Sequence, residues 1–452
     1  MFFINIKTNS KKVVKGDTFV ALRGIKNDGH QFISEAIENG ASLIIAEEGI
    51  YSVDTLIVPD THSYLCEYLN NIYGYIFDEI KLIGITGTNG KTTTAYLTSQ
   101  ALNSLGICSA YIGTIGFFID NKIKDLENTT PDILEIYEML LYAYEHKCKY
   151  IIMEVSSQAL AMHRLDGLTF DYGVFTNLTE DHLDYHKTMD EYAKAKQQLF
   201  KKLKKGGTAI INNDDNYKDY YLFKNNNNIT YGFSDSDYII DNYKIENNML
   251  FFTLNNEKYI SNLLGKYNAY NITILIILLK LIGYEYEDIK KTLITLEAPS
   301  GRMEKIKYND NLIIIDYAHT PDATEKIIKA VREFNKGKII TLIGCGGNRD
   351  KNKRPIMADV ATTLSDYVIF TSDNPRNEKP EDIINDMISN LDKNNYEVEI
   401  NRKEAINKGI QKLGKNDILL LLGKGHENYQ IIGSTKYNFS DKEVALNIIR
   451  GE

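Results

Sequence analysis

The stretch Lys81-Leu-Ile-Gly-Ile-Thr-Gly-Thr-Asn-Gly-Lys-Thr-Thr93 decides the fold class. Its apolar residues over 82–85 predict a buried strand, and the segment 91–105 that follows the glycines predicts a helix. Between them, Gly87 and Gly90 let backbone N–H groups face a polyphosphate, and the helix N-terminus adds positive potential there. Lys91 is long enough to reach β- and γ-phosphates, and the Thr92 hydroxyl is a candidate magnesium ligand. The spacing departs from the usual phosphate loop, because Ile85 stands where the first glycine would be. An ordinary glycine-rich turn is the alternative, and the Gly-Lys-Thr between strand and helix disfavours it. A nucleoside-triphosphate site is therefore expected, without a specific reaction.

Outward from this loop, strand-like and helix-like segments alternate, the pattern of parallel sheets covered by helices. A partner strand is expected over 150–153, placing Glu154 at the sheet edge beside the loop. Toward the amino terminus, a strand over 18–22, a helix over 30–39 and a strand over 41–46 predict a small α/β domain. Beyond Gly301, strands over 312–315, 339–343, 367–370 and 418–422 lead into helical stretches, a layout that resembles a Rossmann domain. The expectation is an α/β protein of three domains: 1–80, a central phosphate-loop domain over 81–300, and a Rossmann-like domain over 301–452. Asn225 to Asn228 read as a solvated loop.

Composition narrows the function classes. The chain has 452 residues, more than one hydrophobic core usually serves. A net charge of −9 argues against a broad nucleic-acid surface while allowing a local basic pocket. The cysteines Cys66, Cys108, Cys148 and Cys345 form no C-x-x-C pair, so neither a disulfide framework nor a zinc knuckle is expected. The start, Met1-Phe-Phe-Ile-Asn-Ile-Lys7, lacks the basic region and longer apolar run of a signal peptide, and no later run is long enough to span a bilayer. A cytoplasmic protein, not inserted in a membrane, is the expectation.

Further motifs follow in order along the chain: Asn128-Thr-Thr-Pro-Asp132, Met153-Glu-Val-Ser-Ser157, His163-Arg164, Thr176-Asn-Leu178, Asp181-His-Leu-Asp-Tyr-His186, Ala195-Lys196, Gly265-Lys-Tyr-Asn268 with Asn271, Ser300-Gly-Arg302, Asp316-Tyr-Ala-His-Thr-Pro321, Asp373-Asn-Pro-Arg376 and Gly423-Lys-Gly-His-Glu427. With the loop, this set resembles the Mur ligases, which share a superfamily with folylpolyglutamate synthetases. The resemblance covers essentially the whole chain and implies an ATP-dependent, amide-forming ligase of peptidoglycan synthesis acting through an acyl phosphate. Its implied substrates are a UDP-N-acetylmuramoyl dipeptide and a diamino acid, and a monomer is expected.

The resemblance also implies roles for individual residues. ATP would be held by Gly87, Thr88, Asn89, Gly90, Lys91, Thr92 and Thr93, with Asn268, Asn271, Arg302 and Asp316. Lys91, His182 and Lys196 would be catalytic. Thr92, Glu154, His182 and Lys196 would ligate two Mg²⁺ ions, Lys196 after carbamylation by CO₂, which replaces its positive charge by an anionic oxygen ligand. Read without the resemblance, Glu154 is a solvated strand-end carboxylate and Lys196 a surface lysine on a helix over 191–203. His182 and His186 could suggest a zinc pair, which a missing third ligand weakens. Ser10, Thr129, Thr130, Ser156 and Arg164 would bind the UDP substrate. Lys11 stands where the family often has arginine, and Met162 where several members have glutamine.

For the acceptor, the resemblance implies Arg349, Asp373, Asn374, Pro375, Arg376, Gly423 and Glu427. Diaminopimelate ends in a second amino-acid head, whose carboxylate can take a bidentate pair from Arg376 and whose ammonium needs an anion such as Glu427. Lysine offers only the ammonium, so meso-diaminopimelate is the expected acceptor. L-lysine or lanthionine as acceptor, a folylpolyglutamate synthetase, and a nucleotide-gated binding protein are the alternatives. The segment Gly16-Asp-Thr-Phe-Val-Ala-Leu-Arg-Gly24, similar to the family's UDP-sugar module, disfavours the folate enzyme.

Overall fold

The computed structural model describes residues 4–24 and 27–451. Of the amino-terminal stretch Met1 to Lys7, which lacks the features of a signal peptide, Met1 to Phe3 lie outside the described residues. The chain divides into two compact units, Met1–Ile239 with Thr273–Tyr284, and Ile240–Ile272 with Glu285–Glu452.

The first unit begins with a four-stranded parallel sheet in the order β1 (Ile6–Lys7), β2 (Thr18–Val20), β3 (Leu43–Ala46), β4 (Asp54–Ile57). The helix expected over 30–39 starts instead as a 3₁₀ turn, Gly29–Phe32, and becomes α1 only over Ile33–Glu38. Asp28 explains the tight entry, since its side chain accepts the His30 N–H and contacts the His30 ring. The helix α2 (Thr61–Tyr73) is capped by Asp60, which accepts the His62 and Ser63 amides.

The larger sheet of this unit contains β5 (Lys81–Thr86), β6 (Ser109–Gly113), β7 (Gly116–Ile119), β8 (Asn121–Lys124), β9 (Tyr150–Glu154), β10 (Phe170–Phe175), β11 (Leu203–Asn212) and β12 (Asn227–Gly232). Their order is β12-β11-β10-β5-β9-β6-β7-β8, and the six from β12 to β6 run parallel. The chain leaves β5 for β6 and returns to β9 between them, then crosses to β10 on the other side. That reversal opens a crevice at the carboxyl end of β5, where ligands of such sheets bind. Around it lie α3 (Lys91–Ser104), α4 (Ile133–Glu145), α5 (Ser157–Ala161), α6 (Leu183–His186) and α7 (Met189–Lys201). One apolar cluster runs from Ile4 and Val20 through Leu82, Ile151 and Phe175 to Tyr221, so the amino-terminal sheet shares a core with the larger one.

Two sequence expectations give way here. Asn227 and Asn228 are not loop residues but open β12, paired with Thr208 and Ala209 of β11; backbone pairing with a neighbouring strand outweighs their weak strand propensity. The helix expected over 191–203 is α7, shifted two residues earlier, because Thr188 accepts the Glu191 N–H as its cap and Leu203 already belongs to β11.

The second unit holds an antiparallel ribbon in which β13 (Tyr238–Glu246), β14 (Met249–Leu254) and β15 (Glu257–Ser261) pair in turn. It also holds a six-stranded sheet of β16 (Glu304–Tyr308), β17 (Asn311–Asp316), β18 (Ile339–Ile343), β19 (Tyr367–Phe370), β20 (Tyr396–Val398) and β21 (Ile418–Leu422), in the order β16-β17-β21-β18-β19-β20. Only β16 is antiparallel to its neighbour. All five residues of β21 are buried, because alternate side chains enter different cores. Ile418, Leu420 and Leu422 join one cluster and Leu419 and Leu421 the other. Burial of each is worth about 1.5–3 kcal/mol, which is why the strand reads as an unbroken apolar run. The helices α9 (Tyr286–Thr295), α10 (Pro321–Phe334), α11 (Lys353–Leu364), α12 (Pro380–Ile388), α13 (Arg402–Gln411) and α14 (Asp441–Arg450), and a hairpin of β22 (Tyr429–Ile432) and β23 (Thr435–Asn438), belong to the unit. Among the described residues no helix is long and apolar enough to cross a membrane.

Candidate active site

The phosphate loop turns on Gly87 and Gly90, with φ of 149° and 88°. A Cβ on Gly87 would overlap Thr176 Oγ1, so only glycine fits against the end of β10. The loop is tied to that strand end: Thr88 N donates to Asn177 O at 2.7 Å, Asn89 N to Asn177 Oδ1 at 3.0 Å, and Thr176 Oγ1 to Asn89 O at 2.6 Å. Thr92 and Thr93 are buried in the first turn of α3.

Two lysines converge on one carbonyl. Lys91 Nζ donates to Gly87 O and Thr88 O, both at 2.9 Å, and Lys196 Nζ donates to Gly87 O at 3.0 Å. Lys196 is 1% exposed, not a surface lysine, and its ammonium lies 4.2 Å from the centre of the Tyr192 ring one helical turn earlier. Burial, reinforced by the charge of Lys91, pushes its pKa well below the ordinary lysine value. A buried amine that sheds its proton is a nucleophile.

Glu154 ends β9 fully buried, contrary to the solvated strand-end reading. Its Oε2 accepts from Thr92 Oγ1 at 2.8 Å and Thr114 Oγ1 at 3.2 Å; its Oε1 accepts from Thr114 N at 2.8 Å and from the Tyr111 hydroxyl. Carboxylate and hydroxyl are hard oxygen donors, the set that magnesium takes. Among the described residues no three His, Cys, Asp or Glu side chains gather.

His182 stands at the start of α6 in a left-handed conformation, φ 54°, with its ring 6.3 Å from that of Tyr192. Burial lowers its pKa, and Lys91 and Lys196 add to that against Asp181. Both effects favour the neutral imidazole. His186 does not pair with it as a zinc ligand would: His186 Nε2 is 2.9 Å from Ser157 Oγ and its ring stacks on Tyr192.

Of the residues expected at the UDP substrate, three meet. Thr130 Oγ1 donates to Glu154 O at 2.8 Å and lies 3.2 Å from Ser156 Oγ, and Arg164 Nη1 donates to Thr130 O at 3.0 Å. Thr129 Oγ1 is 3.1 Å from Thr114 Oγ1, which links it to Glu154. Met162 lies beside Arg164, whose Nη2 is 3.7 Å from its sulfur. Ser10 is held elsewhere, in the 3₁₀ turn Ser10–Lys12 that follows β1, where its hydroxyl donates to Glu35 at 2.5 Å.

The second unit carries the remaining candidates. Asn268 Nδ2 donates to Leu264 O at 2.7 Å and Asn271 Nδ2 to Asn268 Oδ1 at 3.0 Å, both buried at the start of α8 (Lys266–Ile282). Arg302 stacks on Tyr317 at 4.8 Å, and Asp316 accepts the Met303 and Ala318 amides at 2.8 and 2.9 Å. Burial raises the Asp316 pKa against the pull of Arg302 and these two amides.

Around the carboxyl ends of β18, β19 and β21, Asp373, Asn374 and Pro375 are buried and Arg376 is half-buried. Asn374 Nδ2 donates to Glu427 Oε2 at 2.8 Å, and Lys424 Nζ reaches the same oxygen at 3.1 Å. Asp373 Oδ1 accepts the Asn374 amide, while its buried Oδ2 has no hydrogen-bond partner among the described residues. Gly423 has φ 106°, and a Cβ there would lie 2.9 Å from Asp373 Oδ2. Arg376 Nη1 donates to Gly347 O at 2.9 Å, and Arg349, exposed, contacts its neighbour Asn348.

Three segments match family profiles: 3–70 the Mur ligase family catalytic domain, 85–279 the Mur ligase middle domain, and 301–425 the Mur ligase glutamate ligase domain. A Clostridium acetobutylicum protein named UDP-N-acetylmuramoyl-L-alanyl-D-glutamate--2,6-diaminopimelate ligase 1 is 41% identical over 99% of this chain and 94% of its own length. The chain belongs to the Mur ligase family. Fusobacterium nucleatum has a similarly named relative, also 41% identical, matched over 97% of this chain and 92% of its own length. A solved structure of a UDP-N-acetylmuramoyl-L-alanyl-D-glutamate--2,6-diaminopimelate ligase superposes with a TM-score of 0.71 at 31% identity, covering 99% of this chain and 94% of that one. MurF ligase from Thermotoga maritima in complex with ADP shares the three-domain fold, with a TM-score of 0.68 at 20% identity over 99% and 97% of the two chains. As a Mur ligase, the chain is an ATP-dependent ligase.

Sequence reasoning missed Tyr111 and Thr114, which hold Glu154, and Tyr192, which lines the Lys196 amine. Only Tyr192 left a signal, four residues before Lys196 on the same helix face. Lys424 lay within a quoted motif but was passed over.

Proposed function

We propose that the chain joins meso-diaminopimelate to UDP-N-acetylmuramoyl-L-alanyl-D-glutamate in peptidoglycan precursor synthesis, with ATP converted to ADP and phosphate. The relatives named for this reaction span nearly their whole length in the match. The observation that carries the chemistry is the buried Lys196 beside Lys91 on Gly87 O, next to the Thr92–Glu154 pair.

A carboxylate is a poor electrophile, so a carboxylate oxygen of the dipeptide's glutamate attacks the γ-phosphorus and ADP leaves. The acceptor's neutral amine then attacks the acyl carbon; the C–N bond forms, the C–O bond to phosphate breaks, and the amine loses its proton. Gly87 to Thr93 cradle the phosphates with Lys91 as the mobile cation. Thr92 and Glu154 would hold one magnesium ion and His182 with Lys196 a second; magnesium offsets the negative charge that keeps triphosphate and carboxylate apart. The Lys196 amine adds to CO₂ and loses a proton, giving an anionic carbamate at the ligand position. Asn268, Asn271, Arg302 and Asp316 contact the nucleoside; Ser10, Thr129, Thr130, Ser156 and Arg164 contact the UDP substrate. The domains run over 1–80, 81–300 and 301–452. One chain carries every assigned residue, so a monomer in the cytoplasm suffices, a compartment in keeping with four free cysteines.

Acceptor choice rests on Arg376. Its Nη1 is committed to backbone carbonyls, and among the described residues its Nε and Nη2 have no hydrogen bond, a fork suited to the far carboxylate, with Arg349 for the other one. Asp373, Asn374, Pro375, Gly423 and Glu427 shape the pocket and receive the ammonium. The test is ADP release with the UDP-dipeptide and a panel of acceptors. Diaminopimelate should exceed lysine by about a hundredfold in kcat/KM, and Arg376→Ala should remove most of that gap. Equal use of lysine, or an unchanged preference in Arg376→Ala, overturns the assignment.

A further inference from the structure

Two loops carry the arginines assigned to the acceptor's carboxylates, residues 346–350 with Arg349 and residues 373–378 with Arg376, and they are joined along their length. Gly347 N donates to Asn374 O at 2.9 Å, Arg376 Nη1 donates back to Gly347 O at 2.9 Å, and Asn377 N donates to Asn348 Oδ1 at 3.1 Å. A Cβ on Gly347 would overlap the Pro375 carbonyl, so the approach requires glycine. Asn348 and Arg376 both hold positive φ, 53° and 51°. Asparagine adopts that conformation readily and arginine does not, so the second loop needs an outside constraint.

The hairpin of β22 and β23 supplies part of it, since Arg376 N donates to Ile431 O at 3.0 Å and Gly433 N donates to Arg376 O at 2.7 Å, and Arg354, near the start of α11, ties the end of the loop at Glu378. The Arg354 side chain is fully buried, and its planar guanidinium offers donors in a fixed fork. Nη1 and Nη2 each lie 3.0 Å from one oxygen of Glu378, and Nη1 is also 2.7 Å from Asp386 Oδ2 on α12. Glu378 Oε1 in turn accepts the Asn348 amide, and Glu378 N donates to Pro375 O at 3.0 Å. One carboxylate therefore spans both loops and is anchored to a helix. The Arg354 fork and the Asn348 amide hold the Glu378 pKa down at about 2, so the carboxylate stays charged at neutral pH.

We infer that Arg354 is a positioning residue for acceptor length. Resting on the reading of Arg349 and Arg376 as carboxylate ligands, the Arg354–Glu378 fork fixes the separation of the two guanidinium groups and so selects a diamino diacid with a particular distance between its heads. Arg354 touches no substrate itself.

The test compares diaminopimelate with the diamino diacid one methylene shorter. Arg354→Lys keeps the charge and loses the fork; it should raise KM for diaminopimelate tenfold or more and shrink the length preference by a similar factor. Its kcat should stay within threefold of wild type, with KM for ATP and the UDP-dipeptide unchanged. Glu378→Gln keeps the shape and loses the charge, and should move both quantities the same way by a smaller factor. Asp386→Asn touches Arg354 but neither loop, and should leave both within twofold. Unchanged KM and length preference in folded Glu378→Gln and Arg354→Lys overturn the inference, and Glu378→Gln decides alone where Arg354→Lys does not fold. An Asp386→Asn effect as large as theirs overturns it too, as general loosening of α12. Arg376→Ala separates the two levels: if it retains wild-type KM for diaminopimelate, the acceptor reading falls and the inference with it. If it loses that affinity while the fork variants are silent, only the inference falls.

Discussion

Replacing Lys196 by methionine separates what this residue does for stability from what it does for ligation. The amine is enclosed, 1% exposed, with one hydrogen bond to Gly87 O at 3.0 Å and the Tyr192 ring at 4.2 Å. Burial pushes its pKa well below the ordinary 10.5. In metal-free, CO₂-depleted buffer at pH 7 the unfolded chain therefore binds more protons at this position than the folded one, and the group disfavours folding. The penalty is greatest below the folded pKa and fades as pH rises toward 10.5, where the unfolded amine also sheds its proton. Methionine fills a similar volume. It forgoes one hydrogen bond, about 1 kcal/mol, and removes a desolvation cost of several kcal/mol, for a net gain of about 1–3 kcal/mol. At about 2–4 °C per kcal/mol for a unit of this size, Tm should rise by about 2–12 °C. Calorimetry at pH 7 and at pH near ~9.5 should show the gap narrowing at the higher pH. With the proposed ligand role for Lys196, ADP release should meanwhile fall by about a thousandfold. Bicarbonate with magnesium should stabilise wild type and not Lys196→Met. A variant less stable than wild type at pH 7, or a gap that widens with pH, refutes the burial account; ligation within tenfold of wild type refutes the ligand role.

Two further outcomes are expected. Gly113→Ala would drive a methyl group into Glu154 Oε1 and the Tyr111 hydroxyl. Such overpacking costs about 1–3 kcal/mol, and the magnesium concentration giving half-maximal ADP release should rise about tenfold; an unchanged magnesium titration counts against Glu154 as a ligand. Asp441→Asn would strip the partner from Arg402, both side chains being fully buried, with Arg402 Nε and Nη2 at 2.7 and 2.6 Å from the carboxylate. An unpaired buried charge costs about 3–5 kcal/mol, so urea unfolding should show a loss of that order, and a change under ~1 kcal/mol would remove this pair from the account of stability.

Regular elements with one dominant signal were legible in the sequence. The strands over 339–343, 367–370 and 418–422 coincide with β18, β19 and β21, because strands buried on both faces must be apolar throughout. The phosphate loop was legible for a different reason: positive φ at Gly87 and Gly90 and the close approach of Thr176 leave glycine as the residue that fits. Where two local signals competed, the reading slipped. Asp28 tightened the start of the helix near residue 30 into a 3₁₀ turn, and the asparagines at 227 and 228 were drawn into a strand by pairing that begins at Thr208, nineteen residues away.

The chemistry of the site was legible only as residue types, and the reason is that burial is a property of the assembled sheet. Glu154 ends an apolar strand and Lys196 lies midway along an amphipathic helix, and residues of these types are usually solvated. What encloses Glu154 comes from β6 and the turn after it, as Tyr111 and Thr114, some forty residues away; what encloses Lys196 comes from the turn after β5, as Gly87 O. No window of sequence contains both halves of either contact. The fold brings them together because β9 inserts between β5 and β6, so the carboxyl ends of three strands converge at the loop. Four donors around one carboxylate, and a buried lysine whose ammonium bonds a carbonyl rather than a carboxylate, would each be an odd way to stabilise a protein. Side by side at a phosphate loop they form a preorganised polar site, as the proposed phosphoryl transfer requires.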